Sequence, residues 1–140
     1  YKTSLETYTE ALRLNPNNYP LWERTIQNAL EIAAYQRAVS ISEEALEYFP
    51  NQPNLWFLNG VAYSAAQRNQ EAIAALEQGK RIVANNPELV SQFDSQLGDI
   101  YIKIKNYAKA DAAYENALRK NPNNTHALNN YAYYLSLRNE

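Results

Sequence analysis

The chain has 140 residues, enough for one ordinary globular domain. Hydrophobic residues make up 46% of it, which excludes an acidic disordered segment, and the formal net charge of -2 argues against a nucleic-acid binder, which usually shows a basic stripe. It contains no Cys, so disulfides, thiolate metal sites and Cys nucleophiles are excluded, and no apolar run reaches the roughly 18–20 residues of a membrane helix.

The elements follow in order. Residues 1–14 read as one helix, apolar at Leu5, Tyr8, Ala11 and Leu12. Asn15-Pro16-Asn17-Asn18 ends it, because the residue before Pro disfavours helix and Asn tolerates turns. A second helix is expected from about Pro20 to Ala33, with Pro20 suited to its first turn, and a third from about Tyr35 to Tyr48. Pro50-Asn51-Gln52-Pro53 breaks the chain. Helices near 54–67 and 70–84 form the next hairpin, and helices near 88–104 and 107–120 the third. Asn123-Asn124-Thr125 reads as a turn and cap before a last helix at about 125–138. The count is eight helices. The chain opens at Tyr1 inside a helical pattern, as a piece of a longer protein would.

Small residues and prolines recur at a fixed interval. Pro16 and Pro50 are 34 apart, as are Ala11, Ala45 and Gly79, and Gly98 and Ala132. Such a period marks a solenoid of helical hairpins. From Gly60 to Gly98 the interval is 38. The four added residues make about one helical turn. Taking Pro87 as a closing proline like Pro50 and Pro122 puts the turn on the helix ending near Ala84. The expected organisation is one array over 1–140. It has a lone second helix at 1–18 and repeats at 19–52, 53–90 (about four residues longer) and 91–124. A lone first helix follows at 125–140. Leu5, Tyr8 and Leu12 at one end, and Leu128, Tyr131 and Leu135 at the other, are expected to be partly uncovered.

No set of acid, base, nucleophile and metal ligands converges, so no enzyme, cofactor or metal site is expected. His126 is the only His and lacks the companions of a triad or metal site. Glu43, Glu44 and Glu47 read as a solvated face. Asp99 and Lys103 are spaced for a weak ion pair. Lys103, Lys105 and Lys109 cluster near a turn, but without a Gly-rich phosphate loop they do not indicate nucleotide or nucleic acid.

A second stripe runs along each first helix at helical spacing. It comprises Glu23, Gln27 and Leu30; Asn54, Phe57, Val61 and Ser64; Gln92, Ser95, Asp99 and Ile102; and His126, Asn129, Tyr133 and Ser136.

The repeated residues resemble the tetratricopeptide repeat, TPR. Trp56, Gly60 and Tyr63 match its first helix, with Asn59 where Leu is usual; Leu97-Gly98 and Tyr101 match it better. Ala110, Tyr114, Ala117 and Pro122 match its second helix and stop, and Trp22, Ala38, Ala45 and Pro50 match in the preceding unit. The resemblance implies an all-α superhelix, a TPR solenoid of eight antiparallel helices. It also implies that the stripes line a concave groove that binds a protein or peptide segment. Glu23, Arg24, Gln27, Asn54, Phe57, Val61, Ser64, Gln92, Ser95, Asp99, Lys103, His126, Asn129 and Tyr133 would contact it. Phe57 and Tyr133 would be the apolar anchors. Some TPR domains clamp a terminal carboxylate with Lys and Asn on these stripes; here Glu23, Gln27, Phe57, Val61, Ser95 and Asp99 stand there, so that clamp is not expected. The alternative is a structural module whose array ends stack into weak homo-oligomers. The run from Ala127 to Arg138 looks like bacterial arrays, particularly of Bacteroidetes, which favours the periplasm or cell envelope over the cytoplasm.

Overall fold

The computed structural model describes residues 3–138. Its order is α1 (Ser4–Leu14), α2 (Tyr19–Glu31), α3 (Tyr35–Tyr48), α4 (Pro53–Ala65), α5 (Asn69–Ile82), α6 (Pro87–Lys103), α7 (Tyr107–Lys120) and α8 (Thr125–Arg138). Among the described residues there is no strand. The chain divides into two compact units between Ala75 and Leu76, inside α5.

Asn side chains start helices in register. Asn18 accepts from Leu21 N at 3.2 Å, Asn86 from Leu89 N at 3.1 Å and Asn124 from Ala127 N at 3.0 Å. Each satisfies an amide that the first turn leaves without a partner. Gln52 holds the same position before α4, where the side chain makes no cap bond. Pro20, Pro53 and Pro87 sit in the first two positions of α2, α4 and α6, where a missing N–H costs nothing.

Pro87 therefore opens a helix, 34 residues after Pro53 which does the same. It is not a closing proline, and this corrects the placing of the extra turn. α5 has 14 residues, as α3 and α7 do, whereas α6 has 17 against 13 in α2 and α4. The added turn is the start of α6, ahead of Gly98.

The first helices α2, α4 and α6 end the same way. Ala33, Gln67 and Lys105 have φ of 60°, 65° and 62°, the left-handed region, although none is Gly. The next amides, of Ala34, Arg68 and Asn106, each reach back to the carbonyls of Ala29, Tyr63 and Tyr101 at 2.8 Å. This is the Schellman closure, and it uses carbonyls the helix end leaves without partners.

In the first unit, α1 lays Leu5 and Leu12 into a core shared with Trp22, Ile26, Ala38 and Ala45. Leu5 and Leu12 are 3% and 5% exposed and Tyr8 is half-buried, so of the face expected to be partly uncovered only Tyr8 is. Burying one such side chain contributes about 1.5–3 kcal/mol. The Trp22 Nε1 donates to the Pro16 carbonyl at 2.8 Å, and Trp56 does the same to Pro50 at 2.9 Å. The indoles thus tie each helix to the turn before it.

In the second unit, α6 and α7 pack closely. Gly98 faces the ring of Tyr114; a β-carbon there would lie 2.8 Å from it. Tyr114 is fully buried and stacks on Tyr131 of α8, with centroids 5.1 Å apart. Tyr131 and Leu135 are half-buried while Leu128 is exposed, so α8 is partly open as expected. Ala132 shares the register of Gly98 but is exposed rather than set in a crossing.

Candidate functional site: first-helix stripes and second-helix clefts

The stripe of the first unit is joined across α2 and α4. Glu23 accepts from the Tyr19 hydroxyl at 2.8 Å and from Asn54 Nδ2. Burial, and then the Glu23 carboxylate, push the Tyr19 hydroxyl well above the usual Tyr range, so it stays a donor. Phe57, Val61 and Ser64 are half-buried along α4; Arg24 and Gln27 are exposed on α2.

The stripe of the second unit is joined through Asp99. Its Oδ1 accepts from the Tyr114 hydroxyl and from Asn130 Nδ2 at 2.9 Å, and Oδ2 lies 2.7 Å from His126 Nε2. Asn130 Nδ2 is also 3.1 Å from that His nitrogen. Asp99 thus links α6, α7 and α8, a larger role than the expected pair with Lys103. Burial and the Asp99 carboxylate raise the Tyr114 hydroxyl far above its ordinary value. Gln92, Lys103, His126 and Asn129 are exposed, and Tyr133 is 67% exposed.

Ser95 departs from the expected stripe. It is 2% exposed and its Oγ is buried without a hydrogen-bond partner, so it does not line a surface. Asn130 and Tyr114 were not foreseen as parts of the site. Asn130 lies one turn from His126, which was the available signal. Glu43 does more than face solvent, since it accepts from the Tyr63 hydroxyl at 2.6 Å.

Two clefts involve the second helices. In the first unit a cleft of about 440 Å³ is bounded by α1 and α3, with Trp22 of α2 in its lining. In the second unit a cleft of about 230 Å³ is bounded by α5, α6 and α7, with Asp94 in its lining. Asp94 stands in the register of Trp22 and Trp56. It is 1% exposed, bonded by Lys80 Nζ at 2.7 Å and by Asn116 Nδ2. Pairing is what permits a carboxylate to be buried there. Among the described residues no group of three or more His, Cys, Asp or Glu could hold a metal, and no helix is long and apolar enough to cross a membrane.

Family models described as tetratricopeptide repeat match residues 29–92 and 95–124, together more than half of the chain. No curated protein matches the sequence. A thermophilic TPR protein of Thermus thermophilus is similar in structure, with TM-score 0.80, 19% identity and coverage of 94% of this chain and 71% of that one. MamA of Desulfovibrio magneticus gives TM-score 0.74 at 16% identity, over 86% of this chain and 66% of that one. This chain therefore spans just under two thirds of that MamA structure. YrrB, a TPR protein with an unusual peptide-binding site, gives 0.68 at 20% identity, over 89% of this chain and 62% of that one. At these identities the likenesses show the all-α fold. The chain belongs to the tetratricopeptide repeat family.

Proposed function

We propose that this chain is a protein-interaction module that holds a partner segment along its first-helix stripes. One observation carries the reading. Tyr133 is 67% exposed on α8, on the helix that the Asp99–His126 contact fixes to α6. An exposed ring on a braced helix suits an interface, where aromatic residues often dominate the binding energy. Gln92 and Lys103 on α6 and Asn129 on α8 are exposed and offer donors and acceptors to a backbone. In the first unit Phe57 on α4 is the corresponding anchor, with Asn54 on the same helix and Glu23, Arg24 and Gln27 on α2 as the polar members of the stripes. That YrrB has a peptide-binding site supports the reading by analogy. The experiment is to isolate a partner by pull-down, narrow it to a segment, and titrate that segment by calorimetry into wild type, Tyr133→Ala and Phe57→Ala. Loss of affinity in the variants is expected.

A second reading, self-association, is favoured by α8, which exposes Leu128, Tyr133 and Leu137. Light scattering across concentration separates the two. Growth in mass that a partner segment does not reverse supports self-association.

A further inference from the structure

We propose that the cleft bounded by α1 and α3 is a second binding site, separate from the stripes, for an acidic segment of a partner protein. Such a segment seats an apolar side chain near Trp22 and Tyr48 and turns its carboxylates to Arg13 and Arg37.

The lining carries the inference. Trp22 and Tyr48 lie with ring centroids 5.6 Å apart, and Tyr48 is 50% exposed, so an aromatic surface reaches the cleft. Arg13 and Arg37 both line it and both are exposed. Among the described residues neither makes an ion pair. Glu44 is the one acid in the lining, against two guanidiniums. An apolar surface with excess guanidinium complements a chain that mixes carboxylates and apolar side chains.

The second unit supplies the contrast. Leu12, Trp22 and Glu44 of the first cleft have the same repeat positions as Lys80, Asp94 and Asn116 of the other. There Lys80 and Asn116 both bond Asp94, and the buried carboxylate is answered from within the chain. In the first unit the position of Asp94 is held by Trp22, whose N–H is already spent on Pro16. The cations at that cleft are left for an outside anion.

The test uses a fluorescently labelled synthetic peptide of Glu and Leu, read by anisotropy at low salt against the whole chain. Saturable binding is expected, weakened about tenfold or more by Arg13→Glu combined with Arg37→Glu. Arg119→Glu with Lys120→Glu changes the net charge equally in the other unit and should leave affinity unchanged. Circular dichroism confirms that each variant is folded, and Arg37→Gln alone gives an intermediate affinity should the double variant unfold. A Lys and Leu peptide should not compete. The proposal is overturned by no saturable binding, by equal losses in the two charge-reversed pairs, by equal binding of the Lys and Leu peptide, or by full displacement with inorganic phosphate.

Discussion

The ring of Tyr114 lies where a β-carbon on residue 98 would have to go, 2.8 Å from the position that carbon would take. The ring has nowhere to retreat. Its hydroxyl is held by Asp99 and its face by Tyr131. A mid-helix Gly costs up to about 1 kcal/mol against Ala, so the close approach must offset that. Gly98→Leu should lower stability by about 1–3 kcal/mol or more. Gly98→Ala should cost less in a Tyr114→Leu background than in wild type. Chemical denaturation of the four variants checks it; additive effects would mean that the ring is not the obstacle.

The Lys80–Asp94 pair makes an opposite kind of prediction. Lys80→Met removes the partner of a carboxylate that is 1% exposed, and should destabilise by about 3–5 kcal/mol. Asp94→Trp with Lys80→Leu restores the apolar pattern of the first unit and should be neutral or stabilising, because such a swap removes the desolvation penalty. Thermal melts distinguish them. A double variant as unstable as Lys80→Met would show that the ion pair is required for packing.

The three left-handed turns are open to improvement. At Ala33, Gln67 and Lys105 a side chain occupies a conformation that costs about 1–2 kcal/mol for an L-residue. Gly removes that cost but loses more entropy on folding, about 0.5–1 kcal/mol. The balance should favour Ala33→Gly and Lys105→Gly by about 0.5–1 kcal/mol each. Equilibrium denaturation reads the shift, and a loss of stability would contradict it.

Alkaline pH should loosen the fold. Burial first, and then Glu43, push the Tyr63 hydroxyl from 10.0 up to about 12. Burial and Glu115 bring Tyr131 to about 12 as well. A pKa raised on folding means that the folded state holds the proton more tightly. The associated stability is whole below pH 10 and is lost as pH rises through about 12. Melting temperature should fall across that window, and less steeply for Tyr63→Phe. Parallel curves for the two proteins would remove Tyr63 from the explanation.

The repeat was legible because packing forces it. Small residues at Gly60, Gly98, Ala38 and Ala110, and Pro at helix starts and stops, recur at 34 residues, or at 38 where the added turn intervenes. The misplaced turn shows where that reading runs out. Pro stops one helix and starts another with the same residue, so Pro87 could be counted either way until Asn86 was seen capping α6. The stripes were legible from helical spacing, but their bonds were not. Nothing in the spacing tells that Asp99 also bonds Tyr114, His126 and Asn130, which come from α7 and α8, or that Ser95 is buried. The clefts were not legible because each is walled by three helices, and spacing along one helix does not show which side chains of its neighbours close around it.

The central claim is that the stripes bind a partner, and calorimetry on Tyr133→Ala tests it most directly. A captured segment titrated into wild type and variant should bind the variant more weakly by about 1–3 kcal/mol, with the melting temperature unchanged. Equal affinities for wild type, Tyr133→Ala and Phe57→Ala would contradict it.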